Sequence, residues 1–238
     1  MEAAAGGKQL RQDVYARGRR SRRAFIRAVG GLIPACATVT VTGRRPGSQD
    51  GGEWRSLFDG SSLGEWEETA FGGEGLVRIV DRTIVLEFGE PLTGITWRGG
   101  ALAPLNYDIR LEAQRLAGND FFCGLTFPVG PSACSLILGG WGGSLVGLSS
   151  LDGKDASENE TTQRIAFDNR RWYAVRVRVT ADRIHVWLDE QRIIDVSIAG
   201  RRISVRPEVD ASRPLGVASY RTRAGLRRIE TRSVPATG

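Results

Sequence analysis

The sequence predicts an all-β chain: a two-sheet antiparallel β-sandwich over residues 54–234, preceded by a disordered export segment at 1–45 and a linker at 46–53. Three observations carry the prediction. From Trp54 onward no stretch repeats apolar residues at the spacing of an amphipathic helix. About twelve runs of strand composition follow one another, separated by Gly, Asp, Asn or Pro. About twelve strands in about 185 residues is the count of two packed sheets, and no linker divides them.

The runs come in chain order as 76–80, 83–88, 94–98, 107–115, 121–127, 134–138, 144–148, 171–180, 183–188, 192–198, 215–220 and 226–234. Two neighbouring pairs set a register. Ala181-Asp182 is a two-residue turn, so Arg178 faces His185 and Arg176 faces Trp187. Val175, Val177, Val179, Ile184, Val186 and Leu188 then share the other face, where burial contributes roughly 1.5–3 kcal/mol per side chain. A second hairpin, taken to turn at Pro128-Val129, sets Cys123 opposite Cys134. In an oxidising compartment that pair forms a cross-strand disulfide; otherwise both are buried free thiols. No cysteines are spaced as CxxC, so a zinc ribbon or thioredoxin motif is excluded.

The net charge of +6 belongs to one end of the chain. Ten of the 33 Lys/Arg but only three of the 27 Asp/Glu fall in residues 1–50, leaving 23 against 24 in the body. A near-neutral body with no basic stripe excludes nucleic acid as a partner. Ser21-Arg22-Arg23-Ala24-Phe25-Ile26-Arg27 resembles a twin-arginine export signal, and a short apolar stretch, 28–41, follows it. The stretch is too short to span a bilayer permanently. Leu32-Ile33-Pro34-Ala35-Cys36 resembles a lipobox, which would leave a lipid on Cys36; otherwise a peptidase cuts between Ala35 and Gly43. The expected location is therefore the periplasm or cell envelope, with a membrane engaged only through that lipid.

The body resembles a known family. Trp54-Arg-Ser-Leu-Phe-Asp-Gly-Ser-Ser-Leu-Gly-Glu-Trp66 is similar to the opening of the 3-keto-disaccharide hydrolase domain, also called 3-keto-glucoside 1,2-lyase/3-keto-2-hydroxyglucal hydratase. Tyr107–Glu112, Gly118-Asn119-Asp120, Arg171–Val175, Arg183–Asp189 and Pro214–Val217 resemble later motifs of that family, in order. The resemblance implies a concanavalin-like jelly roll and a carbohydrate substrate, a 3-keto-glycoside. It departs at Cys134–Leu138, where the family carries Glu and Gln. The implied reaction removes the acidic C2 proton beside a C3 ketone, expels the C1 oxygen, and hydrates the enone. It needs a base, a donor at the enolate oxygen, and an acid for the leaving group.

The candidates for that chemistry lie mostly in the loop 151–162. Glu158 and Glu160 are expected to face the cleft as catalytic groups, with Lys154 and Asn159 binding substrate and Asp152 and Asp155 holding a divalent cation such as Ca²⁺. His185, the single histidine, with Arg178 beside it, is the other catalytic pair, unless that face is the outer one, where both are surface decoration. Trp141 between paired glycines suits sugar stacking, and Asn119, Asp120 and Arg98 complete the binding set. A non-catalytic concanavalin-like carbohydrate-binding module is the alternative function. A surface domain held by lipidated Cys36 is a third.

Overall fold

The computed structural model describes residues 51–236. The export motif, the Cys36 lipobox and most of the linker lie outside them. The strands in chain order are β1 (Arg55–Ser56), β2 (Trp66–Glu68), β3 (Val77–Val80), β4 (Thr83–Leu86), β5 (Leu92–Trp97), β6 (Tyr107–Gly118), β7 (Cys123–Val129) and β8 (Ser132–Gly139). A four-residue helical turn, α1 (Gly140–Gly143), leads into β9 (Leu145–Ser149) and β10 (Gln163–Arg164). Then come β11 (Tyr173–Val179), β12 (Arg183–Leu188), β13 (Gln191–Ser197), a 3₁₀ turn at Pro207–Ser212, β14 (Gly216–Tyr220) and β15 (Thr222–Ser233).

Every pairing is antiparallel, in two sheets. An eight-stranded sheet runs β13-β12-β11-β6-β15-β4-β3, with β1 also on β15; a seven-stranded sheet runs β10-β9-β8-β7-β14-β5-β2. All twelve expected strands are present, with three short ones added. The β11–β12 register pairs Arg178 with His185 and Arg176 with Trp187, as the turn predicts. Val175, Val177, Val179, Ile184, Val186 and Leu188 are all buried between the sheets, alongside Phe122, Phe127 and Tyr173. Apolar alternation on strands of both sheets thus seals one core.

The second hairpin differs from expectation. β7 continues through Pro128, which pairs with Ala133, and the turn falls at Gly130-Pro131. Gly130 supplies the φ of +57° that the tight turn uses. Proline fits inside β7 because the pairing of β7 with β14 stops at Thr126. Cys123 therefore pairs with Leu138, and Cys134 with Phe127, so the two cysteines are free buried thiols and no disulfide joins them.

A smaller apolar cluster forms on the outward face of the seven-stranded sheet. Leu92, Phe121, Ile137, Leu145, Ala156 and Ala218 make it, with Phe71, Val209 and Tyr220 against them. Segments of loop cover that face, and they build the site.

Candidate functional site

Directly paired residues share a face, so the register writes two rows across five strands of the seven-stranded sheet. One row is Gly147, Ile137, Gly124, Ala218, Gly94; the other is Ser149, Ser135, Thr126, Gly216, Thr96. Almost every member is small. Small side chains let other segments lie directly on the sheet. A Cβ on Gly147 would stand 2.6 Å from the Ala156 carbonyl oxygen, which brings the loop 151–162 down at one end. At the other end the 3₁₀ turn does the same: a Cβ on Gly216 would stand 2.7 Å from the Ser212 oxygen.

Between these covers lies a cleft of about 400 Å³. Ser135, Ile137 and Ser149 form its floor, Phe121, Tyr220 and Trp141 its aromatic wall, and Asp120, Arg206 and Glu208 its charged rim. The hydroxyls of Thr126 and Ser135 bond each other at 2.8 Å, so the floor is polar without carrying charge.

The turn α1 presents Trp141. Gly139, Trp141 and Gly142 take φ of 81°, 48° and 85° in succession. A left-handed tryptophan costs roughly 1–2 kcal/mol, yet the side chain remains 43% exposed and packs into no core that would offset it. Asp120 is fixed beside it. Its Oδ1 accepts from the Phe121 amide at 2.7 Å, its Oδ2 from the Gly142 amide at 3.4 Å, and its own amide donates to Thr222 Oγ1 at 3.1 Å.

Arg206 closes the opposite rim. Its Nη1 donates to Asp155 Oδ2 at 2.6 Å and its Nη2 to Glu208 Oε1 at 2.8 Å. Burial would raise the Asp155 pKa, but the Ser157 hydroxyl and amide and the Arg206 charge outweigh it and hold that carboxyl below its ordinary value. Glu208 is likewise held low, first by its bond from Arg206.

The predicted residues fall into three groups. Trp141 and Asp120 come together in the cleft, and Asn119 stands just outside it. The loop 151–162 is positioned otherwise than expected. Glu158, Glu160 and Lys154 are exposed and do not line the cleft. Arg201 holds the carboxylates of Glu160 and Asp152, so neither lines the cleft; the Arg202 amide and then Arg201 hold the Asp152 pKa low, and Arg201 does so for Glu160. Asn159 is buried as a brace: its amide donates to the Leu148 and Asp155 carbonyls, at 2.8 and 2.6 Å, and its Oδ1 accepts from Thr161. The expected cation pair does not fit, because Asp152 and Asp155 are tied to different arginines. Among the described residues no three His, Cys, Asp or Glu side chains group as metal ligands.

His185, Arg178 and Arg98 lie away from the cleft. Arg178 donates through Nε and Nη2 to both oxygens of the fully buried Asp108, at 2.6 and 2.9 Å, on the outer face of the eight-stranded sheet. His185 Nε2 is 3.3 Å from Asp195 Oδ1 on that same face. Desolvation lowers the His185 pKa against the pull of Asp195. Arg98 is exposed beside Glu67, 3.3 Å away. The outer face does carry a larger hollow, of about 670 Å³. Its charges are spent on one another, Arg110 on Glu230 at 2.5 Å and Arg228 on Glu112 at 2.7 Å, with Arg176 3.8 Å over the Trp187 ring. The smaller cleft is the better candidate, because Asp120 in it makes no ion pair among the described residues and Trp141 is held outward at a cost.

Arg206, Glu208 and Tyr220 are the cleft residues that sequence reasoning missed. For Tyr220 a signal existed: Gly216, Ala218 and Tyr220 alternate with Val217 and Ser219, which puts the tyrosine at the end of a row of small residues.

Residues 53–230 match the family model described as 3-keto-alpha-glucoside-1,2-lyase-like domain. Among solved structures, the chain is similar to the carbohydrate binding module CBM66 from Bacillus subtilis, at 13% identity over 71% of this chain and 96% of that one, with a TM-score of 0.49. It is similar to the apo Crh5 transglycosylase at 8% identity over 76% of this chain and 83% of that one, with a TM-score of 0.51. A putative glycosyl hydrolase from Parabacteroides distasonis matches at 11% identity over 76% and 94%, with a TM-score of 0.48. The likeness to the Crh5 transglycosylase shows a shared fold. No curated protein matches the chain in sequence.

Proposed function

We propose, from the premise that this chain belongs to the 3-keto-alpha-glucoside-1,2-lyase-like domain family, that its cleft binds a 3-keto-glycoside and breaks the bond at C1 by elimination and hydration. The observation that carries the reading is the meeting of Asp120 and Trp141 at one turn, through the Gly142 amide that donates to Asp120. Trp141 offers a flat apolar face to a sugar ring, and Asp120 offers a carboxylate that makes no ion pair among the described residues.

In this reading the Asp120 carboxylate takes the C2 proton. The electron pair passes to the C3 oxygen as an enolate, and Arg206 donates to that oxygen. The enolate collapses to the ketone, C1=C2 forms, and the C1 oxygen departs with its bonding pair. Tyr220 hydroxyl donates the proton that the leaving oxygen needs. Water then adds to C1 of the enone, its spare proton passing to the Tyr220 oxygen, and Asp120 returns its own proton to C2. A positioned acid–base group accounts for about 10²–10⁴-fold in such a step.

A second reading has its own support. The floor of the cleft is Ser135, Ile137 and Ser149, without a titratable group, which suits a carbohydrate-binding module. Turnover separates the two. The full chain incubated with a panel of 3-keto-glucosides, with and without EDTA, should release free 3-keto-glucose in both conditions. Binding of the panel without any release supports the module. Release abolished by EDTA overturns the assignment of Asp120 and Arg206. The same proposal places the domain in the periplasm or cell envelope, on the motif Ser21–Arg27. Fractionation of cells that express the whole chain tests it, and protein confined to the cytoplasm contradicts it.

A further inference from the structure

The turn that presents Trp141 has a second side. Gly142 and Gly143, with Gly118, Asn119, Ser144 and the segment 166–169, enclose a separate hollow of about 430 Å³ whose inner wall is Arg115. The same pair of loops contributes to the walls of both cavities. Asp120 lines one and Asn119 the other; Trp141 lines one and Gly142 the other. Neighbouring Cα atoms are about 3.8 Å apart, so adjoining rings of one molecule can reach both.

The chemistry of the second hollow is different from that of the first. It has no exposed aromatic; it has Asn119, Ser144, Asp168, Asn169 and an arginine. Arg115 is 7% exposed, and among the described residues no carboxylate forms an ion pair with it. Its Nε donates to Asn169 Oδ1 at 2.8 Å, its Nη2 to the Phe167 carbonyl at 2.6 Å, and its Nη1 to the Gly143 carbonyl at 3.2 Å. A guanidinium has five donors, so two remain beyond these three bonds. A buried arginine is ordinarily matched by an acid. Here the charge rests on neutral oxygens, all three belonging to residues that wall the hollow. A Cβ on Gly143 would stand 2.9 Å from Arg115 Nη1, so the glycine is what admits this contact.

We infer that this hollow is the subsite for the leaving half of the substrate, and that it selects a hydroxylated, sugar-like group over an aromatic one. The inference rests on the reading of the Trp141 cleft given above. Asn119 and Asn169 can both donate to and accept from hydroxyls and Arg115 can donate to them, whereas an aryl group there would strip water from polar side chains without replacing its bonds. Arg115 is also a positioning residue for the Trp141 turn, through the Gly143 carbonyl.

The test compares a 3-keto-glucosyl disaccharide with phenyl 3-keto-glucoside on the full chain, by calorimetry and by turnover. The wild-type protein should prefer the disaccharide by about tenfold or more. Asn119→Ala with Asn169→Ala should bring the ratio of the two affinities toward one. Arg115→Lys should do the same and raise KM more than it lowers kcat, with a thermal melt to establish that it is folded. If that variant unfolds, the asparagine pair decides. Equal affinity for both compounds in the wild-type protein, or a ratio unmoved by the asparagine variants, overturns the subsite while leaving the cleft standing. Failure to bind either compound overturns the reading of the cleft, and the subsite with it.

Discussion

Arg206 Nη1 donates to Asp155 Oδ2 across 2.6 Å, joining the acidic loop to the rim of the cleft. The loop thus serves the site through an arginine rather than by its own carboxylates. Asp155→Asn keeps an acceptor for Ser157 but frees Arg206 on that side. Ligand affinity should fall by about three- to tenfold, while the pair, being partly exposed, should cost under about 1 kcal/mol of stability. Titration calorimetry and a denaturant melt check both. Because the Asp155 pKa is depressed in the folded state, its contribution is full above the ordinary carboxylate value of about 3.9 and is lost as pH falls through the folded value. The variant should therefore lose less stability than the parent below pH of about 4.

Trp141→Gly relieves the left-handed strain and removes the stacking face. The melting temperature should hold or rise, and affinity for a 3-keto-glucoside should drop by about tenfold. A residue kept for packing would give the reverse, a large loss of stability.

His185→Gln tests the outer face. Desolvation keeps the folded His185 pKa below the ordinary value of about 6.5. The unfolded chain therefore binds the proton more readily, so stability is full above about 6.5 and declines as pH falls toward the folded value. The variant should flatten that part of the stability–pH curve and leave turnover near pH 7 unchanged. Loss of turnover would return His185 to the mechanism.

Cys123 and Cys134 should resist modification. Burial pushes both thiols up to about 12, so little thiolate exists near pH 8. A thiol reagent should label neither in the native protein and both after denaturation, as read by mass spectrometry. Rapid native labelling would contradict their burial.

Most of the fold was legible because its signal is local. Alternation gave the twelve strands and the β11–β12 register, down to Arg178 opposite His185. The β7–β8 turn was misplaced because proline was read as the turn, whereas β7 runs on where β14 no longer pairs with it. The site was legible where chemistry shows in composition, as with Trp141 among glycines and Asn119-Asp120. It was not legible where partners come from far along the chain. Arg201 and Arg206, some fifty residues on from Asp152 and Asp155, take the loop's acids, and no periodicity announces such a pairing. The sequence points to Asn159 as a substrate-binding residue, and the three bonds its side-chain amide donates to carbonyls arise only from the folded loop.

The central claim is that Asp120 removes the C2 proton in the Trp141 cleft. The direct test is the rate of 3-keto-glucose release from a 3-keto-glucoside by the full chain and by Asp120→Asn, which keeps the acceptors for the Phe121 and Gly142 amides. The account predicts release by the parent and a rate at least about 10²-fold lower for the variant, with substrate still bound. Equal rates from the two proteins would contradict it.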